Sequence, residues 1–451
     1  MKVKEIIETM VQSQREVMLA AEKYIGENAE SGFREVKTSK YMADRFNELG
    51  YQVELAGNIP GFTAELDTGR LGCTLAIFAE LDSLIVPEHP QADVDTGAAH
   101  ACGHHTECAA ILGVAAALNQ PEVLQELSGK VRFVIVPAEE LIEIEFRDNL
   151  RKKGEIKYFS GKVEFLYRGL LDGIDLAYMV HSSSNCPGGF AINKGNNGCI
   201  TKSLTYRGKS AHAGSTPHLG INALYAANIG MQGVNALRET FKEHDFIRVH
   251  PIITSGGDAV NAIPSVVKVE SFVRASNVEA MMEENRKVNR AFAAGAVALG
   301  AGLNINDRFG YMPLRNDTKM AEVATRNMIE IVGEELVKLD AAWSTGSTDM
   351  GDLSTLLPII HPYVGGAEGT PHGSDYLIKD ADTAIVKNAL FQAYLAYDLL
   401  KDGAKLANEV VANKQVLFRN KAEYFDCVDS YAMEKEVVKY EKDGDIVIQL
   451  S

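Results

Sequence analysis

The sequence predicts an α/β protein in which a mixed, mainly parallel sheet is flanked by helices and a smaller α+β unit is inserted into the chain. Three observations carry that prediction. Over about the first four hundred residues, apolar runs of strand length alternate with longer helical patterns, the rhythm of a parallel sheet. Four of these runs hand metal-capable side chains to the segment that follows them. Between about residues 199 and 310 the texture changes and then reverts, as when one unit interrupts another.

The elements follow in order. Residues 1–27 mix charge with apolar spacing, which predicts an amphipathic helix without the unbroken apolar stretch of an export signal. The run 71–79 (LGCTLAIFA) leads into Glu80 and Asp82. The cluster His100-Ala-Cys102-Gly-His104-His105 precedes a helical pattern over 106–118. The run 130–136 (KVRFVIV) leads into Glu139 and Glu140, and 174–180 (IDLAYMV) into His181. The inserted stretch reads as a strand at 200–206, a helix at 220–241, strands at 246–254 and 265–275, and a helix at 278–300. The first pattern resumes near Tyr311 with a helix over 318–337, and the run 357–360 precedes a Gly-rich loop carrying His372. Residues 1–198 and 311–451 thus form a discontinuous unit around 199–310. A charged extension begins near 405 and ends in a hairpin turning at Asp443-Gly444.

Composition narrows the function. Forty-five basic and 61 acidic residues give a net charge of −16, which opposes binding to nucleic acid or anionic lipid. No apolar stretch is long enough to cross a bilayer. Six cysteines without CxxC spacing suit a reducing cytoplasm better than a disulfide framework. GxxxxGK[ST], HExxH and GxSxG are all missing, which weakens phosphate-binding and serine-hydrolase readings.

The candidate chemistry lies at the ends of the strands. In open α/β sheets the binding crevice opens beyond the carboxyl ends of the strands, so residues far apart in sequence can converge there. Cys and His are ligands that divalent transition metals select, and a thiolate can bridge two ions. Against this, His104 and His105 could be polar residues at a helix start and Cys102 a small buried apolar one. Glu139 and Glu140 are adjacent on extended backbone and point to opposite sides, so one could hold a metal while the other serves as general base. A Glu pair is otherwise surface charge. His181 and His372, taken singly, read as hydrogen-bonding loop residues. In the inserted unit, His212 is either a turn residue capping the next helix or a donor aimed at a substrate carbonyl. Asn261 and Arg274 flank one strand and could share a carboxylate, with Arg274 as a surface ion-pair partner the alternative.

Together the stretches SGFREVKTSKYMADRFNELGY, FAELDSL, HACGH, VPAEE, MVHS, GKSAHAGSTPHLGINAL, GGDAVNAIPSVVKVESFVRA, STDMGDLS and HGSDY resemble the aminoacylase and hippurate-hydrolase family of dinuclear metallopeptidases, in particular the branch with the aminobenzoyl-glutamate hydrolases. The resemblance implies two divalent ions, Zn or Mn first and Co or Ni possible, bridged by Cys102 and held by His104, Glu140, His181 and His372. It implies Glu139 as general base and acid, and Asn261 and Arg274 as anchors for a substrate carboxylate. It further implies a ferredoxin-like inserted unit that serves as lid and dimer interface, with His212 reaching the other protomer's site to stabilise an oxyanion. Three departures stand out. The family's HACGHDxH is HACGHHTE here, which puts His105 and Glu107 in place of Asp and His. Glu80-Leu-Asp82 replaces Asp-x-Asp, and the charged segment 141–164 is longer than usual and is expected to wall the pocket.

The expected activity is hydrolysis of the amide bond of an N-acyl amino acid, an aminobenzoyl-glutamate-like conjugate or a dipeptide bearing a free carboxylate. Two rivals are a non-catalytic binding or scaffold protein on the same fold, and a thiol hydrolase using Cys102 with His104.

Overall fold

Alternate residues of the central strands enter different cores, and that alternation sets the architecture. Leu75, Ile77 and Ala79 face one apolar cluster while Ala76 and Phe78 face another. The computed structural model describes residues 2–339, 342–441 and 445–450. In it, the first sheet runs in the order Val53–Leu55, Phe62–Asp67, Lys130–Val136, Thr74–Glu80, Leu176–Tyr178, Ile359–Ile360. The last four strands are mutually parallel and the first two form an antiparallel edge. Strands covered on both faces are apolar along their buried length, which is why 133–136 and 75–79 read as continuous runs.

One face is covered by the helices Val3–Ser13, Arg15–Glu27, Val36–Glu48, His104–Leu118 and Asn388–Ala412. The expected single N-terminal helix is two, meeting at Gln14. Every residue of His104–Leu118 is buried, since this helix lies between the sheet and the other helices. The opposite face carries Ile144–Lys152 and Gly161–Arg168, both from the long charged segment, together with Met350–Ser354 and Lys421–Ser430.

The second sheet is antiparallel throughout: Arg248–Ser255, Val266–Ala275, Gly198–Arg207, Gly302–Tyr311, Met433–Tyr440, Ile446–Ile448. Its first four strands and the helices Ala223–Leu237 and Val278–Leu299 follow one another as strand, helix, strand, strand, helix, strand. Asn222 and Asn277 cap the two helices by accepting backbone N–H bonds from their first turns. The helices cross at glycines: a Cβ on Gly295 would lie 2.5 Å from the Gly230 nitrogen, so no larger residue fits without separating them. The C-terminal extension, expected to belong with the first unit, ends instead as two strands of this second sheet. Val437 and Val438 make the apolar contribution there, both fully buried. Those strands pair as a hairpin, but Asp443 and Gly444 lie outside the described residues.

Candidate functional site

Three parallel strands of the first sheet deliver side chains at their carboxyl ends. Glu80 closes the strand Thr74–Glu80 and Asp82 follows two residues later. Glu139 and Glu140 come after Lys130–Val136, and His181 after Leu176–Tyr178. His372 enters from a loop whose backbone is tied to the cluster by its N–H bond to the Ala101 carbonyl (2.9 Å).

Cys102, His104 and His181 present donor atoms all within 4.8 Å of one another, and so do Cys102, Glu140 and His372. The sulfur is common to both sets. The five ligands expected from the sequence are therefore gathered in one place, with Glu139 beside them in a third set with His104 and Glu140. His212, Asn261 and Arg274 are not part of this gathering. Among the described residues no hydrogen bond or ion pair joins them to it.

Local backbone features aim these groups. Gly103 has φ 91°, and a Cβ there would lie 1.9 Å from the Ser182 hydroxyl oxygen, so the turn between Cys102 and His104 requires glycine. Ser182 in turn donates to the Cys102 carbonyl (2.8 Å). Ala138 (φ 58°) and His372 (φ 65°) hold the left-handed conformation without being glycine, a strain of the kind that clusters at functional sites. The Ala138 N–H is held by the buried Glu35 (2.7 Å). Arg147, from the charged segment, donates to the carbonyls of Ala138, Phe159 and Glu140. Tyr311 donates to the Glu139 carbonyl.

The imidazoles are oriented by their second nitrogens. His104 Nδ1 donates to the Asp82 carbonyl (2.9 Å), with Asp82 Oδ1 also close (3.2 Å), which leaves Nε2 free to ligate. His181 Nδ1 donates to the Ser182 carbonyl (2.6 Å), and its Nε2 lies 3.3 Å from Cys102 Sγ. Asp82 also accepts the Glu140 N–H (2.8 Å) and so ties one ligand to another.

The electrostatics suit a cation site. Burial and Glu140 oppose ionisation of Cys102, yet His181 and His104 bring its thiol down to about 6. Burial likewise opposes charge on His181, which Cys102 nevertheless raises to about 9. Glu140 raises His372 to about 11 against burial. Burial opposes ionisation of Glu140, but His372 holds its carboxyl below the usual range. Glu139 differs: burial, then the charges of Glu80 and Glu140, push it well up. A carboxyl that resists ionisation beside one that welcomes it is a pair able to divide proton transfer from cation binding. A divalent cation fits what is present. Glu107 Oε1 is buried without a partner, while Glu80 Oε2 meets His104 Nε2 (3.1 Å) and Glu140 Oε1 meets His372 Nε2 (3.3 Å) without hydrogen-bond geometry, and burying such atoms poorly paired is costly.

Several residues here escaped the sequence reading. Lys162 is fully buried and pairs with Glu80 and with Asp349 (2.5 Å). A lysine inside a charged segment gives no signal of burial. His361, buried with both ring nitrogens unpartnered, lies 5.7 Å from the His181 ring. Its one sequence cue is its position directly after a short apolar run.

In loops beside the second sheet, His212 and Asn261 stand side by side and exposed. The Ala213 N–H donates to the Asn261 carbonyl (2.9 Å), and His212 bridges to Ala262. His212 Nδ1 accepts the N–H groups of Gly214 and Ser215 (3.0 Å each), which places the ring proton on Nε2. The Arg274 guanidinium lies over the Phe272 ring (5.2 Å), and among the described residues this side chain makes no hydrogen bond or ion pair.

The sequence pattern of Peptidase family M20/M25/M40 matches residues 76–395, more than half of the chain. The chain is 30% identical over 285 residues to Xaa-Arg dipeptidase of Mus musculus, covering 61% of this chain and 60% of that one. It is 27% identical over 376 residues to N-acetylcysteine deacetylase of Bacillus subtilis, covering 79% and 90%. It spans about three fifths of the length of the first curated relatives it matches. Two solved structures share the fold. One is the aminobenzoyl-glutamate utilization protein of Klebsiella pneumoniae (TM-score 0.64, 19% identity, 88% of this chain and 99% of that one). The other is a dinuclear metal-binding M20 peptidase of Bacillus subtilis (TM-score 0.62, 22% identity, 86% and 99%).

Proposed function

Because the chain belongs to Peptidase family M20/M25/M40, we propose that it is a metal-dependent amidohydrolase acting on an N-acyl amino acid, an aminobenzoyl-glutamate-like conjugate or a dipeptide. The observation that carries the proposal is the convergence of Cys102, His104, Glu140, His181 and His372 into two donor sets that share one sulfur. A pair of divalent ions held there would polarise an amide carbonyl and acidify a water. Zinc and manganese are the first choices for a thiolate, imidazole and carboxylate set, with cobalt or nickel also compatible.

Glu139 carries the proton. Its carboxyl is buried beside Glu80 and Glu140, which raises its affinity for a proton, so as carboxylate it can take a proton from water and as acid return it to the departing amine. Tyr311 and Arg147 fix the backbone on either side of it. Arg274, which has no anion partner, and Asn261 anchor the substrate carboxylate. His212, exposed and carrying its proton on Nε2, serves as an oxyanion donor in the other protomer of a homodimer formed through residues 199–310, the unit that also acts as lid. Exposed Leu219, Tyr225, Ile252 and Val260 around that loop support a self-association surface. Six free cysteines agree with a reducing cytoplasmic setting, and among the described residues no helix is long and apolar enough to cross a membrane.

The Cys102–His181 contact would also suit a thiol nucleophile. Three further donors around the same sulfur favour chelation. The test is a hydrolysis screen of metal-reconstituted protein over N-acetyl amino acids, aminobenzoyl-glutamate and dipeptides, with Glu139→Ala alongside. The variant is expected to keep its metal while losing hydrolysis by a factor of about 10²–10⁴. Wild-type-like turnover in Glu139→Ala would remove the assigned base. No turnover of any substrate by metal-loaded wild type would favour a binding protein.

A further inference from the structure

A second donor set lies behind the thiolate. Glu80, His104, Glu107 and His181 present one ligand atom each, all within 4.8 Å of one another. Glu80 and His104 are 0% exposed and Glu107 is 2% exposed. Each side chain is anchored at one end and open at the other. Glu80 Oε1 takes Lys162, and Glu107 Oε2 accepts the Glu80 N–H (3.3 Å). His104 and His181 are held through Nδ1, as described above. The remaining atoms Glu80 Oε2, Glu107 Oε1 and His104 Nε2 have no hydrogen-bond partner. Glu80 Oε2 and His104 Nε2 face each other as a buried ion pair (3.1 Å), and Glu107 Oε1 is left with neither hydrogen bond nor ion pair. Two carboxylates and two imidazole nitrogens converging in a dry interior are a donor set suited to a cation.

We infer that Glu80 and Glu107 are additional ligands of the buried ion and set its identity, an inference that rests on the metal-dependent reading above. His104 and His181 belong both to this set and to the set with Cys102. An ion held by this set has two nitrogens and two hard oxygens in reach, with the sulfur in the other set. Carboxylate oxygens in place of thiolate move the donor set toward the oxygen preference of manganese(II). Lys162 offsets one of the added negative charges and holds Glu80 in line.

The test is equilibrium binding of manganese(II) and of zinc(II) to the full chain stripped of metal. It is read by elemental analysis and by the electron paramagnetic resonance of bound manganese, so activity is not needed. Glu107→Gln keeps an acceptor for the Glu80 N–H but removes the charge. Glu107→His keeps a donor of softer character and serves if the glutamine variant does not fold. In either variant manganese affinity at one of the two ions is expected to fall about tenfold or more, with zinc affinity less affected, or raised in Glu107→His. Unchanged manganese affinity in a folded variant would overturn the role of Glu107 and leave the dinuclear reading standing. Failure of wild type to take up either metal would overturn both.

Discussion

Among the described residues two lysines are fully buried, one in each half of the molecule, and their charges are met differently. Lys202, inside the second sheet, meets Asp307 (2.6 Å) and Asn285 (2.7 Å). The other oxygen of Asp307 is filled by Asn285 and Asn289 (2.9 and 2.8 Å). Lys162 meets Glu80 and Asp349, but the second oxygen of Glu80 receives no hydrogen bond and faces the His104 ring (3.1 Å). The ionisation follows suit. Burial pulls Lys202 down despite Asp307, whereas Asp349 and Glu80 lift Lys162 above the usual range despite burial. A buried charge that saturates its partners builds structure. One that leaves them unsaturated marks where something else binds.

Substitution of each lysine tests this contrast most severely. Lys202→Met strands Asp307 and is expected to cost about 3–5 kcal/mol of stability in denaturant unfolding, with metal content unchanged. Lys162→Met is expected to cost a similar amount, but added divalent metal should recover part of it, because the ion can supply the lost positive charge. Equal responses of the two variants to metal would erase the distinction.

Thiol chemistry sharpens the same comparison. The Cys102 thiol, brought to about 6, is largely thiolate at neutral pH, while Cys199 beneath the second sheet is held by burial at about 12. A lowered pKa means that reactivity rises as pH climbs through about 6, not through the ordinary 9.0. Alkylation of the metal-free protein followed by peptide mapping should show half-maximal labelling of Cys102 near that pH and none of Cys199. Metal should protect Cys102. The smallest effect is expected at Val438→Ala, about 1.5 kcal/mol from lost burial, with no change in metal binding.

Much of the first sheet was legible because strands buried on both faces leave unbroken apolar runs, and those runs point at their own carboxyl ends. That logic reached Cys102, His104, Glu139, Glu140, His181 and His372 together. It could not reach Lys162 or Asp349, whose importance lies in being buried, since charge in a sequence reads as surface, and Glu107 stood out only as a departure from the family motif. The terminal strands were visible as alternation, yet their placement on the second sheet depends on a long-range pairing with Gly302–Tyr311 that no local pattern encodes. His212 and Asn261 were visible as a turn beside a strand, and the fold seats them side by side at the surface, apart from the buried donors.

That late pairing has a consequence for biogenesis. On the ribosome, every proposed ligand through His372 is made before Met433–Tyr440, so the metal centre can assemble while the second sheet still lacks two strands. Until those strands arrive, the Gly302–Tyr311 edge offers open hydrogen bonds to any extended neighbour, and the nascent chain is most exposed to mispairing with other copies in that interval.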